Sequence, residues 1–502
     1  MFVSAALIAV MALASSSPVQ AFSTPKFQMQ RCRTTSSLHR VHTASQPTTA
    51  LKMSDFTTAM PDKQPTDSCG HVFVLHCGAD GIATDGVLIN NDEQDSNVVV
   101  KVVESKIDSS NKIQRYEAGK SNDDVMTVFK SFLDTGAEHF QGKKSSFRRG
   151  KPLLSFDPTS FFGPDIAGDS EKKMSVFQEM IPYVYSIVDN FGVDVAICIP
   201  EEETFSIVEA LRNDLCPFSG GPFWMLSESQ IANAVRLAGD AEAGRLSVFV
   251  GAGISIPSGA PSWGGLLESL AIKAGMSEDD RKSLAQLSFL DQPTILAEEM
   301  KDSFKPAIAE LIAEASFYTP AHVLLKTLKA PAITTNYDDL YEAAAASSNV
   351  HVPTLPWQSR EMIKSNHNEK NSLLKLHGCI NHPNSIILSR GDYMRYPDTS
   401  QALRGRLHGI FLTTNVLFCG FSMTDDNVHK VIDDMRKVVY EDGEPDVHKF
   451  GTILSMTENK MFNRLWDQDF HLQSFGTSWA DNPSWYHDCF LDYMISSCIK
   501  KA

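Results

Sequence analysis

Short apolar runs recur along this chain, and segments with apolar residues at helical spacing separate them. In the first half the apolar runs are His71–Leu75, Val87–Ile89, Asn97–Val103, Pro152–Phe156 and Val193–Ile199. The segments Ser121–Leu133 and Glu171–Phe191 carry the helical period between them. Because alternating strands and helices build parallel sheets, this order predicts an α/β domain with a largely parallel sheet.

The second half repeats this organisation with one long helical interruption. A predicted helix, Glu228–Gly244, leads into the strand Leu246–Val250, and residues 264–330 have a helical pattern without a clear strand. Strand-like runs return at Ala332–Thr335, Ile386–Leu388, Val416–Cys419 and Thr452–Leu454. The sequence therefore predicts two α/β domains, at residues 71–225 and 226–502, with a Pro- and Gly-rich break before the second.

The first 53 residues contain five basic side chains and no acidic one. Residues 1–21 are typical of a signal peptide, because their apolar core is too short to span a bilayer. Residues 22–53 are rich in Ser and Thr like a transit peptide, and residues 54–70 form a polar linker. With Phe22 after the predicted cleavage point, this leader resembles the bipartite presequences of algae with secondary plastids. It implies plastid delivery through the secretory pathway; secretion or an endomembrane lumen is the alternative.

The rest of the chain is acidic, with 61 acidic against 40 basic side chains. Such a surface repels phosphate backbones, which predicts no nucleic-acid partner. The nine cysteines include no Cys-x-x-Cys pair, so no zinc ribbon or thioredoxin-like motif is present in the sequence. Beyond the leader no stretch approaches 18 apolar residues, which predicts that the mature form has no membrane span.

A glycine-rich motif, Gly251-Ala252-Gly253-Ile254-Ser255, directly follows a predicted buried strand. Glycines at such a position let the backbone approach a pyrophosphate without a Cβ clash, and the following amides can bind the anion. The same pattern, taken alone, also fits a tight turn between a strand and a helix.

Three further motifs follow predicted strands of the second domain or stand between them. They are Thr334–Asp338, Leu374–Gly378 and Leu417–Asn427. Asn336 can orient a ribose hydroxyl or a water, and His377 can serve as a general base near neutral pH, although a lone histidine is more often structural. Gly420 and Ser422 follow a third strand, where the adenosine half of a dinucleotide could lie.

In chain order, these four motifs resemble the sirtuin-like, NAD-consuming domains over roughly residues 226–480. The resemblance implies a Rossmann-like NAD fold with a helical insertion at 264–330, and NAD as the substrate. It further implies that Asn336 and His377 are catalytic, the histidine as the base. The residues implied to contact NAD are Gly251, Ala252, Gly253, Ser255, Thr335, Asp338, Gly420, Ser422 and Asn427.

The chain departs from the protein deacylases of that family at four places. Their Thr-Gln-Asn is Thr334-Thr335-Asn336 here, and their Gly-Thr-Ser is Gly420-Phe421-Ser422. Their Pro-Asp-Phe-Arg segment is replaced by Pro261-Ser262-Trp263, and only Cys379 and His382 follow His377, without the paired cysteines of a zinc ribbon. These departures resemble the zinc-free branch, which implies hydrolysis of NAD to nicotinamide and ADP-ribose, with no zinc. An NAD-dependent deacylase or ADP-ribosyl transferase and a non-catalytic NAD or ADP-ribose sensor remain the alternatives.

The opening of the first domain, residues 71–91, faintly resembles macrodomains, which bind ADP-ribose. Asp80 and Asp85 stand for the acidic positions of that family, and Asn90 for the asparagine after its second strand. A scaffold domain without a ligand is the alternative. If the domain binds ADP-ribose, it recognises the product of its neighbour, and the two-domain layout suggests gating by such a ligand or by a homo-oligomer.

Overall fold

The computed structural model describes residues 63–91, 101–103, 113–119, 125–147, 150–364, 372–439, 449–476 and 482–499. The predicted signal and transit segments, residues 1–53, lie outside the described residues, as does the first part of the linker. The leader and its destination therefore stay predictions. Among the described residues, no helix combines the length and the apolar composition that a membrane crossing requires.

The first sheet is built from strands in residues 72–198. Its described strands are β1 (Val72–Leu75), β2 (Gly86–Asn91), β3 (Lys101–Val103), β4 (Gln114–Gly119), β5 (Leu153–Phe156) and β6 (Asp194–Cys198). They lie in the order β1-β6-β5-β2-β4-β3, and the pairs are parallel except for β3 with β4 at one edge. Strands β1, β5 and β6 are buried along their whole length, as expected for a sheet covered on both faces.

The second sheet is entirely parallel in the described part of the chain. Its strands are β7 (Leu246–Val250), β8 (Ala332–Thr334), β9 (Thr354–Leu355), β10 (Leu373–Lys375), β11 (Asn415–Cys419), β12 (Gly451–Ser455) and β13 (Phe470–Ser474). The order is β13-β12-β11-β7-β8-β10-β9, so the chain builds outward from β7 on one side and then returns to its other side at β11. Ligands of such sheets bind outside the carboxyl ends of the strands, where the order reverses.

Helices cover the sheets and form the insertion between β7 and β8. Those before β7 are α1 (Val125–Phe140), α2 (Pro164–Ala167), α3 (Ser170–Phe191), α4 (Glu202–Asp214) and α5 (Glu228–Glu242). Those between β7 and β8 are α6 (Trp263–Lys273), α7 (Glu278–Leu284), α8 (Gln292–Met300), α9 (Phe304–Ala313) and α10 (Pro320–Thr327). The remaining helices are α11 (Leu340–Ala346), α12 (Ser359–Lys364), α13 (Arg390–Thr399), α14 (Gln401–Thr413), α15 (Asp426–Val439), α16 (Lys460–Trp466) and α17 (Pro483–Ile499).

Local sequence sets the helix ends and the core of the insertion. The carboxylate of Asp169 accepts hydrogen bonds from the first amides of α3, and Gly192 ends that helix in the left-handed conformation. Within the insertion, α6, α8 and α9 bury their apolar side chains in a core of their own, including Leu270 and Ile308. The predicted α/β fold with a helical insertion is confirmed.

One predicted strand is wrong, and the strands β4, β9, β10 and β13 were not predicted. Ile386 and Leu388 alternate as they would in a strand, but both are buried in the core of the helical insertion, and residues 386–388 pair with no strand. Strands β9 and β10 have only two and three residues, which is too short to show a period of two.

Helix α17, the last described helix, packs against elements of both α/β domains. It packs against α5 and α10 and also against α4 and β1 of the first sheet. The fully buried carboxylate of Asp492 accepts hydrogen bonds from Arg212 Nη1 at 2.5 Å and lies 2.7 Å from His71 Nε2. Arg212 also donates to Glu209 and to the Val72 carbonyl. Burial acts to lower the pKa of Arg212, but the carboxylates of Asp492 and Glu209 outweigh it and raise this pKa.

We expect Asp492→Ala to lower the free energy of unfolding by about 3–5 kcal/mol, because the substitution removes one partner of a buried ion pair. The measurement is a urea unfolding curve. Asp433→Asn, which alters an exposed carboxylate of α15 paired with Lys437, is the control and should leave the midpoint unchanged. Equal midpoints for Asp492→Ala and the wild type would contradict this account of how α17 is held.

Candidate functional site

The loop after β7 lies directly against the loop after β11. The Gly251 amide donates to the Cys419 carbonyl at 2.8 Å, and the Gly253 amide donates to the Gly420 carbonyl at 2.9 Å. A Cβ atom on Gly251 would lie 2.5 Å from the Gly420 oxygen, and one on Gly253 would lie 2.8 Å from it. Any side chain there would collide with backbone, so the close packing of the two loops itself requires both glycines.

This packing changes the interpretation of the glycine motif. Since the amides of Gly251 and Gly253 already bond the neighbouring loop, a phosphate would need other donors. Ala252, between them, is exposed, and it begins the first of two short 3₁₀ turns, Ala252–Ile254 and Ile256–Ser258. The glycine motif therefore holds the loops after β7 and β11 together at the point where the strand order reverses, which is where the site is predicted.

We expect Gly251→Ala to lower the melting temperature of the chain, because the new methyl group must displace the backbone of Gly420. Thermal unfolding followed by circular dichroism measures this effect. Gly264→Ala is the matched control, because no atom lies within 4 Å of its Cβ position and alanine favours the helix α6. A melting temperature of Gly251→Ala equal to or above that of the control would contradict the close approach.

Asn336 lies just beyond β8, and its side chain reaches the glycine loop. Its backbone amide donates to Thr334 Oγ1 at 2.9 Å, and Thr334 Oγ1 donates to the Val250 carbonyl at 2.7 Å. The side-chain nitrogen Nδ2 donates to Ser255 Oγ at 3.2 Å. The side-chain oxygen Oδ1 is buried and has no partner among the described residues. Leaving such an acceptor unpaired costs about 1–3 kcal/mol, so Oδ1 is a candidate contact for a ligand hydroxyl or a water.

His377 follows β10, which is the neighbour of β8 in the sheet, and only 2% of its surface is exposed. Its Nε2 lies 3.6 Å from Asp425 Oδ2 and 3.4 Å from Asn427 Nδ2. The rings of Tyr393 and Tyr396 pack edge-on against the imidazole. Burial lowers the pKa of His377, while the Asp425 carboxylate acts in the opposite direction. The imidazole is therefore neutral near neutral pH and able to accept a proton.

We expect Asp425→Asn to lower the pKa of His377 further, because the substitution removes the carboxylate that favours the protonated ring. Asparagine keeps an oxygen that can accept the Val428 amide, so the start of α15 should be preserved. The measurement is an NMR titration of the His377 ring, with the exposed neighbour Asp426→Asn as the control. An unchanged or raised pKa in Asp425→Asn would contradict the assigned pairing.

The other residues predicted to contact NAD have different local roles. Asp338 is buried, and its carboxylate accepts the Leu340 amide at the start of α11. Thr335 is half-buried, and the exposed Ser422 bonds the hydroxyl of Thr424 at 2.7 Å. Asn427 is brought to His377, as described above, whereas Ser422 bonds Thr424 and Asp338 bonds the Leu340 amide. The strand ends bring the motifs to one edge of the sheet, but the side chains of these motifs do not all contact the same group.

Several polar side chains around the site belong to none of the functional residues that the sequence motifs predicted. Lys375, in β10, is fully buried, pairs with Glu342 at 2.9 Å and donates to the Asp338 carbonyl. Tyr393 donates to Asp425 Oδ2 at 3.1 Å, on the oxygen that faces His377. The Nε2 atom of His322, in α10, lies 3.4 Å from Ser255 Oγ. His322 completes a capping box with Thr319, but the usual sequence signal of that motif is Glu or Gln at this position, so the sequence did not mark His322.

In the first domain, the two acidic residues compared with macrodomains differ in environment. Asp80 is exposed in the loop after β1. Asp85 is buried, and its carboxylate accepts hydrogen bonds from Ser145 Oγ, the Ser146 amide and the Leu153 amide. That carboxylate therefore holds a loop against β5. Asn90 lies in β2, and binding of ADP-ribose by this domain stays a prediction.

No three His, Cys, Asp or Glu side chains cluster as metal ligands in the part of the chain that the structure describes. His382, one of the two residues after His377 that could have served zinc, stacks on the Trp357 ring with centroids 4.6 Å apart. Cys379, the other, lies 3.2 Å from Lys375 Nζ.

Part of this chain is similar to a known protein family and to several curated proteins. Residues 331–471 match the family model of the SIR2-like domain. NAD(+) hydrolase ThsA of Enterococcus faecium is 32% identical over 212 residues, which is 41% of this chain and 42% of the relative. NAD(+) hydrolase ThsA of Bacillus cereus is 27% identical over 200 residues, 39% of this chain and 41% of the relative. The defense-associated sirtuin 2 of Bacillus subtilis is 24% identical over 233 residues, 43% of this chain and 22% of the relative.

This chain thus covers less than half the length of the curated relatives that it matches. The family match begins just before β8 and ends in β13, so it includes the loops that carry Asn336, His377 and Gly420. This part of the chain is therefore similar to a SIR2-like domain, and the predicted resemblance to sirtuin-like domains of the NAD-hydrolase type is confirmed.

Proposed function

We propose that this chain hydrolyses the bond between nicotinamide and ribose in NAD, releasing nicotinamide and ADP-ribose. The observation that carries the proposal is the pairing of two features on adjacent strand ends. Asn336 offers a buried, unpaired oxygen after β8, and His377 offers a neutral, buried imidazole after β10. Neighbouring strands lie about 4.8 Å apart, so both groups can act on one substrate. The relatives named NAD(+) hydrolases support the same chemistry.

Nicotinamide is a good leaving group, so the protein mainly has to position the ribose and the attacking water and to accept a proton. Nicotinamide leaves as a neutral base when the bond to the ribose carbon breaks and its electron pair returns to the ring nitrogen. Asn336 Oδ1 accepts a hydrogen bond from the attacking water or a ribose hydroxyl and so fixes its position. As the water oxygen bonds to the ribose carbon, its proton passes to His377, a step worth about 10²–10⁴-fold in rate. The Asp425 carboxylate then stabilises the imidazolium.

Two other functions fit parts of the same site. A deacylase or an ADP-ribosyl transferase would use the same ribose carbon but needs a second substrate in place of water. A sensor would bind NAD or ADP-ribose without turnover. The buried base beside an acidic partner favours an enzyme over the sensor, because binding alone does not require a proton acceptor. The relatives named NAD(+) hydrolases favour water over a second substrate.

We expect the purified chain to convert NAD to nicotinamide and ADP-ribose, and His377→Ala to reduce kcat by about 10²–10⁴-fold. Asn336→Ala should also lower kcat, because the water or ribose hydroxyl loses its acceptor. Chromatography of the products measures turnover, and the exposed His351→Ala is the control that should keep full activity.

The outcome separates the three functions. NAD binding without turnover by the wild type would favour the sensor and overturn the hydrolase. Nicotinamide release that depends on an acylated peptide or on an acceptor protein would favour the deacylase or transferase. Turnover that persists in His377→Ala would remove the histidine from the mechanism.

A further inference from the structure

A chain of buried hydrogen bonds runs from α10 to Asn336. The side-chain oxygen of Thr319 lies 2.8 Å from His322 Nδ1, and the Thr319 backbone amide donates to the same nitrogen at 3.1 Å. His322 Nε2 lies 3.4 Å from Ser255 Oγ, and Asn336 Nδ2 donates to that oxygen at 3.2 Å. All four side chains are buried. The four residues are defined here as the Thr319 relay.

The relay assigns the tautomer of His322. A backbone amide can only donate, so Nδ1 must be the nitrogen with the lone pair, and the proton lies on Nε2. Burial lowers the pKa of His322 to about 4, so the ring is neutral near pH 7. The Nε2–H group therefore donates toward Ser255 Oγ.

The position of this proton orients the next two side chains. Ser255 Oγ accepts from His322 on one side and from the amide nitrogen of Asn336 on the other. Because the amide nitrogen of Asn336 is held by Ser255, its oxygen faces away from the relay and stays unpaired. A lone pair on Oδ1 is what a water or ribose hydroxyl needs as an acceptor.

We propose that His322 is a positioning residue for Asn336, acting through Ser255. It holds the amide of Asn336 with Oδ1 facing the reacting ribose. This inference rests on the proposed NAD hydrolysis and deepens it, since it names the group that orients the predicted catalytic asparagine.

The outer end of the relay is anchored by the first domain. Tyr318, which precedes Thr319, receives a hydrogen bond on its carbonyl from the Ala83 amide at 2.7 Å and donates its own amide to the Gly81 carbonyl at 3.0 Å. Its hydroxyl donates to the Gly78 carbonyl at 2.9 Å. The loop after β1 therefore fixes the backbone from which the relay starts.

Two substitutions of His322 separate positioning from simple helix capping. His322→Asn keeps an acceptor for the Thr319 amide but loses the donor to Ser255. His322→Ala loses both the acceptor at the cap and the donor to Ser255. If His322 positions Asn336, His322→Asn should lower kcat by about 10- to 100-fold with little change in KM, as His322→Ala should.

A capping role alone predicts a different ranking. His322→Ala would then have the lower melting temperature and the lower kcat, and His322→Asn, which keeps the cap acceptor, would resemble the wild type in both. That ranking would overturn the inference. A double variant offers a second check, because Ser255→Ala with His322→Asn should cost no more than either change alone if both act through one relay. Additive losses would also overturn it.

A measurement on the wild-type chain needs neither activity nor a stable variant. NMR of the histidine ring nitrogens should show His322 as the Nε2–H tautomer at pH 7, and a proton on Nδ1 would overturn the relay. A chain with the Nε2–H tautomer that does not turn over NAD would overturn the proposed function and the catalytic role of the relay with it. Turnover combined with full activity of His322→Asn would overturn this inference alone.

Discussion

The contact between the glycine loop after β7 and Gly420 after β11 is the constraint on which the site depends. Two backbones approach so closely there that a single methyl group on Gly251 or Gly253 would overlap the Gly420 carbonyl. Protein interiors yield little to such an overlap, so the contact fixes the separation of the two strand ends. Ser255 lies in the same loop and takes its position from that contact. The orientation of Asn336 therefore depends on glycines that donate no side chain.

Of the buried polar side chains around this contact, some have hydrogen-bond partners in the protein and one atom does not. Ser255 Oγ and both ring nitrogens of His322 have hydrogen-bond partners in the protein, whereas the side-chain oxygen of Asn336 has none among the described residues. A fold does not retain an unpaired buried acceptor for its stability, because it costs free energy. Because His377 follows the neighbouring strand at the same edge of the parallel sheet, the unpaired oxygen supports the proposal that Asn336 contacts the substrate.

The two sheets are also less independent than their separate strand sets suggest. Helix α17, at the end of the described chain, inserts Asp492 between Arg212 and His71 beside the first sheet while it packs on α5 and α10. The loop after β1 brackets Tyr318, one residue before the relay. The first domain thus contributes to the geometry of the proposed reaction site.

Motif order and hydrophobic period in the sequence were enough to predict the α/β fold, the helical insertion and the strand ends that carry Asn336 and Gly420. These are local properties, and parallel pairing then brings the ends of adjacent strands to one edge. The sequence could not indicate β9 or β10, or that Ile386 and Leu388 belong to a helical core. His322 stands 67 residues from Ser255, so only the packing of α10 against the glycine loop decides that they meet. Hydrogen bonds between distant segments depend on tertiary contacts, and those contacts decided which nitrogen of His322 carries its proton and which end of Asn336 stays free.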